Sequence, residues 1–304
     1  MAENTQLTVK QQSILDFKKI VDNSETQKML YNVLGENKGT FATSLVEVFT
    51  NDTQLQGCKP KQVIQEAIKA ATLKLPLNKQ LGYAYVLVFN NWDKTTRTKV
   101  PTPQLVIGYK GYIQLAMRSA QYRNINCDVI YEGEMRKKNK LTGEVDLEGE
   151  KLSDKVVGYF AHFELINGFQ KTFFMTLEQM AEYALKNSPS FKGKQGEGMT
   201  TEKLCSLAQE QAEKGAVQGQ VGWIGDFNAM AMKTVLRRLL SKYGLLSIEM
   251  QNALDCDTIP TSENLRDEVV NQPKVTFDAQ VITDNVQDAQ AEELKQPDLG
   301  SLND

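Results

Sequence analysis

Apolar positions recur along this chain with two different spacings, and the first of them is helical. Between residues 40 and 71 they return every three or four positions, which predicts two helices that pack on a core. Thr40 is the expected N-cap of the first helix and Asn51-Asp52 ends it, whereas Pro60 fits the first turn of the second. The apolar positions are Phe41, Leu45, Val46, Val48 and Phe49, then Val63, Ile64, Ala67, Ile68 and Ala71.

From residue 82 the sequence pattern changes to short runs of β-branched and aromatic residues, which are typical of strands. The predicted strands are 83–89, 104–109, 127–134, 144–147, 156–166 and 169–175. The polar stretch 90–103 is predicted to be a long loop between the first two. A helix over 110–121 is expected to follow them.

Three local signals fix the remaining elements. Asn167-Gly168 suits the two positive-φ positions of a type I′ turn and predicts a tight hairpin. Thr176 with Gln179 forms a capping-box pattern at the start of a short helix. Asp226 is placed to cap a long helix that ends at Gly244. Between these helices, residues 187–222 are rich in Gly, Ser, Lys and Gln and are predicted to be a flexible insertion with a modest helical stretch near 202–213.

The pattern predicts an α+β fold, with antiparallel hairpins packed against several helices. We expect a flexible arm or a marginal helix over residues 1–25, a folded domain over 26–248 and a largely disordered acidic tail over 249–304. The tail holds 13 acidic side chains against three basic ones, while residues 1–248 hold 32 basic against 25 acidic ones. A basic body with an acidic tail is typical of proteins that bind a polyanion with one part and a partner with another.

Composition excludes several classes of protein. With 41% hydrophobic and 24% charged residues, the chain is expected to be globular and soluble, without a membrane helix or secretory signal, and therefore cytoplasmic. Four scattered cysteines without a CxxC pair predict reduced, structural thiols. The only histidine is His162, which leaves no His-rich metal site. No GxxxxGK[ST] phosphate cradle is present, so ATP is not expected as a cofactor.

The helix predicted after residue 109 combines cations with aromatic side chains. Lys110, Gln114 and Arg118 share one face, and Tyr109 and Tyr112 lie beside them. Gly108 and Gly111 flank Lys110 and leave room for a phosphate at the start of the helix, where N–H groups favour anions.

A second basic helix is predicted after Asp226. Lys233 with Arg237 and Arg238 with Lys242 form two i, i+4 rows opposite an apolar side. Cations are costly to bury, so this face must meet water or an anion. An ordinary solvated face is the alternative for each helix alone. Five aromatic residues are candidates for base stacking, although core positions are common at such spacings: Tyr109, Tyr112, Trp223, Phe227 and Trp92.

Acidic clusters leave a metal-dependent nuclease open as an alternative. Glu132 lies near Glu134, and Asp146 lies near Glu148 and Glu150. Two-metal nucleases use such carboxylates. Alternating acids are more often a solvated strand edge, and no catalytic residue is assigned here.

Longer strings of residues resemble a known family. Residues 67–78, 81–85, 108–119 and 226–244 are similar, in the same order, to the RecT family of phage single-strand annealing proteins. The resemblance covers roughly residues 30–245. The segment 187–222 departs from it, being longer and richer in Gly and Lys than expected.

The resemblance implies ATP-independent annealing of complementary single strands in phage-type homologous recombination, on a ring or helical filament of subunits with a basic groove. It implies three further partners: the annealed duplex intermediate, an exonuclease that generates single strands, and host single-strand binding protein. Phosphate contacts carry over onto Lys110, Arg118, Lys233, Arg237 and Arg238. No cofactor is expected, with Mg²⁺ at most modulating, and the setting is the cytoplasm of a bacterial host of a phage or prophage. A plain single-strand coating protein or a purely structural ring-forming protein are the remaining alternatives.

Overall fold

The computed structural model describes residues 9–93, 97–191, 197–218, 220 and 222–257. The helices are α1 Val9–Val21, α2 Ser24–Leu34, α3 Lys38–Asn51, α4 Thr53–Gln56, α5 Pro60–Thr72, α6 Tyr109–Arg118, α7 Leu177–Asn187, α8 Thr201–Lys214, α9 Gly222–Gly225, α10 Phe227–Tyr243 and α11 Ile248–Cys256, with 3-10 turns at Gly35–Asn37 and Pro189–Phe191. The strands are β1 Ala84–Asp93, β2 Thr98–Ile107, β3 Tyr122–Tyr131, β4 Lys137–Lys138, β5 Val145–Asp146, β6 Val156–Leu165 and β7 Gln170–Thr176.

The architecture is α+β with antiparallel sheets, as predicted. In the described residues, β3, β6 and β7 form a three-stranded sheet in the order β3-β6-β7, and β1-β2 and β4-β5 are separate hairpins. The long helix α10 packs on β6 and β7, and α5 packs on β2. Helices that cover the three-stranded sheet and the β1-β2 hairpin give the core its layers.

The predicted helices are present in the structure, with small shifts at their ends. Pro60 occupies the first turn of α5, whose buried side includes Val63, Ile64 and Ala67. The Thr176 capping box and the Asp226 cap are both formed. The helix α3 begins earlier than Thr40, at Lys38, because it continues almost directly from the preceding 3-10 turn.

The hairpin between β6 and β7 is formed, but the predicted type I′ turn is wrong. Gly168 has a positive φ of 84°, whereas Asn167 is not among the positive-φ residues. The Gly168 N–H donates to Leu165 O at 3.0 Å and the Leu165 N–H donates to Phe169 O at 2.8 Å. This is a three-residue connection in which a glycine in the left-handed region follows a type I turn.

The polar stretch 90–103 is mostly strand and not loop, which corrects the prediction. The strands β1 and β2 pair from Ala84 opposite Ile107 to Asp93 opposite Thr98, with Trp92 opposite Lys99. Cross-strand hydrogen bonds stabilise a two-stranded ladder even where side chains are polar. Residues 94–96 of the turn lie outside the described part.

Of the two alternatives for the N-terminal segment, the structure has a helix over residues 9–21, and the flexible arm is wrong there. The ring of Phe17 in α1 is fully buried and stacks on Phe49 of α3, with ring centroids 3.8 Å apart. Val21, one turn further, is also buried. The apolar spacing of α1 is sparse but sufficient for one buried stripe. Residues 1–8 of the predicted arm lie outside the described part.

The segment 187–222 contributes α8 to the core, contrary to the prediction of a flexible insertion. In α8, Leu204 and Ala208 are fully buried. The Gln211 side chain accepts from the Phe227 N–H at 2.6 Å and donates to Ile224 O at 2.8 Å. These bonds tie α8 to the start of α10 by polar contacts, which a search for hydrophobic spacing does not detect.

The boundary predicted at residue 249 is also wrong, because α11 belongs to the folded unit. Met250 and Ala253 are buried, and the Ser247 side chain accepts from the Met250 N–H at 3.2 Å. The next residue after this helix, Asp257, has a side chain only 4% exposed. The rest of the predicted tail, 258–304, lies outside the described residues.

Candidate nucleic-acid interface

A cavity of about 550 Å³ lies where the β1-β2 hairpin, the start of α6 and one side of α10 meet. Its lining brings together four of the cations predicted to contact phosphate. The charged residues of the lining are Lys79, Lys110, Lys233, Arg237, Arg238, Asp226 and Asp257. The two basic helices therefore line the same cavity. A common binding site for both helices requires this.

Close approach of the chain to itself determines how α6 begins. The Gly108 N–H donates to Tyr83 O at 3.0 Å. A Cβ atom on Gly108 would collide with Gly82 O, and one on Gly111 would collide with Tyr83 O. The space that the sequence suggested for a phosphate is therefore occupied by the backbone of residues 82–83, and these glycines serve packing. Lys110 remains exposed at the cavity.

Asp257 is the centre of a buried polar network in this cavity. Its carboxylate accepts from Lys233 Nζ at 2.7 Å, from the Tyr112 hydroxyl at 2.8 Å and from the Ile107 N–H at 3.2 Å. Arg237 Nε lies 3.8 Å from the same carboxylate. The anion that Lys233 and Arg237 meet is thus a side chain of this protein.

The network fixes the protonation of its members. Burial, together with the charge of Asp257, raises the pKa of Tyr112 well above its ordinary value, so the hydroxyl stays a donor. Burial acts to lower the pKa of Arg237, but the neighbouring Tyr112 and Asp257 outweigh it and raise this pKa. Arg237 therefore remains charged at the edge of the cavity.

Lys110 and Arg238 differ from this buried pair because both are exposed. Within the described part of the chain, neither forms an ion pair with a carboxylate. The Arg238 guanidinium lies 5.1 Å from the ring centre of Tyr183 and 5.6 Å from that of Phe173. Stacking over two aromatic faces orients the group without neutralising its charge.

Three further predicted contact residues do not line the cavity. Arg118 donates to Leu73 O at 2.6 Å and to Lys74 O at 2.8 Å, and so binds the C-terminal carbonyls of α5. Gln114 is half-buried on α6. Lys242 is exposed further along α10, with its ammonium 5.3 Å from the ring centre of Tyr243.

The aromatic candidates separate by burial. Tyr112 and Phe227 are fully buried, which corrects the prediction that they could offer a face to a base. Trp223 is 6% exposed and packs against Phe227 at 5.1 Å, although its edge lines the cavity. Tyr109 is half-buried and lines it as well. Trp92 is exposed and lies elsewhere, at the far end of the hairpin.

Sequence reasoning missed three residues of this site. Tyr85 and Tyr183 line the cavity from β1 and α7, and Asp257 holds the cations in place. A signal for Asp257 existed: Ser247 followed by apolar residues 250, 253 and 254 is a capped helix pattern that points the next turn at the core. The acidic composition around it obscured that pattern.

The arrangement of the acidic side chains gives little support to the alternative of a metal-dependent nuclease. Among the residues that the structure describes, no three His, Cys, Asp or Glu side chains are grouped so that they could hold a metal ion. Glu132 accepts from the Ser153 hydroxyl at 2.9 Å, and Glu134 accepts from the Tyr131 N–H at 2.7 Å. His162 shares a 2.8 Å hydrogen bond with Thr172, and burial lowers its pKa. No helix in the described ranges has the length and apolarity to cross a membrane.

Comparison with known proteins identifies the class. The RecT family matches residues 39–275. A Bacillus subtilis (strain 168) protein, YqaK, which has no described function, is 38% identical over 245 residues, covering 80% of this chain and 72% of that protein. Protein RecT of Escherichia coli (strain K12) is 29% identical over 208 residues, covering 67% of this chain and 65% of its own length.

This chain belongs to the RecT family. Membership makes it a protein of phage-type recombination and single-strand annealing, as the motif strings predicted.

Proposed function

We propose that this protein binds single-stranded DNA and anneals complementary strands without ATP, holding phosphates in a basic groove formed by the cavity of α6 and α10. The observation that carries the proposal is the convergence of Lys110 with Arg237 and Arg238 on one opening from two helices. Phosphate contacts of this kind give affinity without sequence preference.

Annealing needs no external energy source. Each base-pair step releases about 1.4 kcal/mol of stacking free energy once the strands meet. The obstacle is repulsion between phosphate backbones, which bound cations relieve. A groove that grips backbones and leaves bases free therefore suffices.

The cations divide into two roles in this proposal. Lys110 and Arg238 are exposed and contact phosphates directly. Lys233 and Arg237 are balanced by Asp257, so they shape the inner wall and contribute less charge to a bound strand. Arg118, whose guanidinium binds the end of α5, supports the fold next to α6.

The deciding experiment mixes complementary oligonucleotides with the protein and no ATP, and follows duplex formation by energy transfer between labelled ends. We expect Lys110→Ala and Arg238→Ala each to slow annealing and to reduce the salt slope of single-strand affinity by about 1. Lys28→Ala, an exposed cation of α2 away from the cavity, is the matched control.

Three outcomes are distinct. Binding without faster pairing would identify a plain single-strand coating protein. Shortening of labelled DNA in Mg²⁺ would identify a nuclease. Equal effects of Lys110→Ala and Lys28→Ala would remove the cavity from the binding surface.

We further propose the assembly and partners that membership suggests. Subunits form a ring or helical filament that aligns the groove along a strand, an exonuclease supplies the single strand, and host single-strand binding protein is met at the DNA. The action takes place in the bacterial cytoplasm from a phage or prophage gene. Mg²⁺ modulates binding by competing for phosphates and is not required.

A further inference from the structure

Trp92 is a large aromatic side chain that the fold leaves in solvent. Its exposed fraction is 62%. It lies near the end of β1, and from its cross-strand partner β2 runs about ten residues before the glycine that precedes α6. Tryptophan is rarely left so open without a partner, because its apolar area is large. The cavity described above is at the other end of this hairpin and does not include Trp92.

Two lysines lie near this tryptophan. Lys99 is its direct cross-strand neighbour, so the two side chains project from the same face. Lys59, which precedes the first residue of α5, borders a cavity of about 260 Å³ together with Trp92 and Gln62. Lys59 and Lys99 are both exposed, and none of the described carboxylates forms an ion pair with either.

The start of α5 adds a fixed partial charge to the same place. The helix has 13 residues and no side chain caps its N-terminus. Its first N–H groups therefore add a partial positive charge beside Lys59. An exposed aromatic side chain with two exposed lysines nearby matches a nucleotide, whose base is flat and whose phosphate is negative.

We propose that Trp92 stacks on an unpaired base of single-stranded DNA while Lys59 and Lys99 contact the flanking phosphates, forming a second contact at the far end of the hairpin. The inference rests on the proposed function, since it extends the DNA path beyond the cavity of α6 and α10. A second copy of this chain is the other occupant that an exposed tryptophan suits, but two lysines and a helix N-terminus favour a polyanion.

Fluorescence can isolate this residue, because Trp92 and Trp223 are the only tryptophans. In full-length Trp223→Phe protein, Trp92 is the sole tryptophan emitter. The protein is titrated with an end-labelled oligothymidylate and, separately, with an abasic oligonucleotide of equal length, while the anisotropy of the label reports binding. We expect oligothymidylate to quench Trp92 emission and the abasic strand to leave it nearly unchanged at equal saturation.

The result separates this inference from the proposed function. Rising anisotropy with equal emission changes for the two strands would overturn stacking while DNA binding stands. Absence of binding by the unsubstituted protein would overturn both. An emission change on dilution without DNA would place Trp92 in an interface between copies and also overturn the inference.

Affinity gives a second readout that does not depend on the Trp223 substitution. We expect Trp92→Ala to weaken oligothymidylate binding about tenfold and Trp92→Phe to weaken it much less, because phenylalanine retains a stacking face. Neither should change the affinity for the abasic strand. An equal loss for both strands would show that the hairpin end acts through the fold and not through a base.

Discussion

Asp257 is the single residue on which the inner wall of the cavity depends. Its carboxylate, 4% exposed, holds Lys233 at 2.7 Å and the Tyr112 hydroxyl at 2.8 Å. Removing one partner from a buried ion pair leaves an uncompensated charge. We therefore expect Asp257→Asn to lower the free energy of unfolding by about 3 kcal/mol, measured by urea denaturation.

The same substitution should strengthen DNA binding although it lowers the stability of the fold. Freed from Asp257, the charges of Lys233 and Arg237 face the cavity, so affinity for single-stranded DNA should rise and its salt slope should steepen. Lys233→Met in the Asp257→Asn background is the test of coupling. If it costs as much stability there as in the unsubstituted protein, the two side chains do not depend on each other.

Asp52 offers a pH test on a second ion pair. It caps α4 by accepting from the Gln54 and Leu55 N–H groups and pairs with Lys79 at 2.7 Å. Burial acts to raise the pKa of Asp52, but Lys79 and these N–H groups outweigh it and lower the pKa below its ordinary value of 3.8. A lowered folded-state pKa stabilises the protein above the unfolded pKa, and this stability is lost as the pH falls through the folded value.

Comparison of two variants isolates that contribution. Asp52→Asn keeps an N-cap acceptor but loses the charge, whereas Asp52→Ala loses both and should cost about 1 kcal/mol more. Thermal melting of each variant from pH 6 to pH 3 is the measurement. The gap between the unsubstituted protein and Asp52→Asn should narrow as the pH falls below the ordinary pKa of 3.8, and a constant gap would contradict the role of the charge.

At the scale of elements, α11 extends the folded unit beyond residue 248. Truncation after residue 257 keeps α11 and Asp257, whereas truncation after residue 247 removes Met250 and Ala253 from the core together with the Asp257 network. We expect the longer product to melt near the temperature of the full chain and the shorter one to unfold at markedly lower urea, since two buried contacts and an ion pair are lost. Equal stability of the two would show that α11 is not part of the core.

Sequence patterns predicted those elements whose signals are local. Pro60, the Thr176 capping box, the Asp226 cap and the Asn167-Gly168 hairpin each lie within four residues of the element that they organise, and each was placed correctly. The burial of α1 and α8 and the whole of α11 were missed because contacts far along the chain stabilise them, although a helical stretch near 202–213 was predicted. Phe17 needs Phe49, Gln211 needs Phe227, and Asp257 needs Lys233.

The candidate site likewise has features that local spacing predicted and features that depend on distant contacts. Helical spacing placed Lys110 on one cationic helix face and Arg237 and Arg238 in the two rows of a second, because spacing determines which side chains of one helix share a face. The structure brings the three to one cavity. It could not show that Lys233 is balanced, that Tyr112 is buried, or that backbone fills the space beside Gly108. Those properties depend on how α6, α10, α11 and the backbone of residues 82–83 meet.

At the scale of the whole molecule, charge is divided unevenly between the folded unit and the C-terminal segment 258–304. This segment carries ten acidic side chains against three basic ones, while the cavity lining carries five cations and two carboxylates. An excess of like charge on one chain competes electrostatically with a polyanionic ligand for the same cations.

We therefore expect removal of residues 258–304 to raise affinity for single-stranded DNA at low salt while leaving annealing intact. The increase should shrink as ionic strength rises, because the Debye length falls to about 3 Å at 1 M. Replacing the ten acidic residues by their amides in the full chain is the matched control, since it removes charge without shortening the protein. If truncation raises affinity and neutralisation does not, the segment acts by its bulk, and electrostatic competition is the wrong explanation.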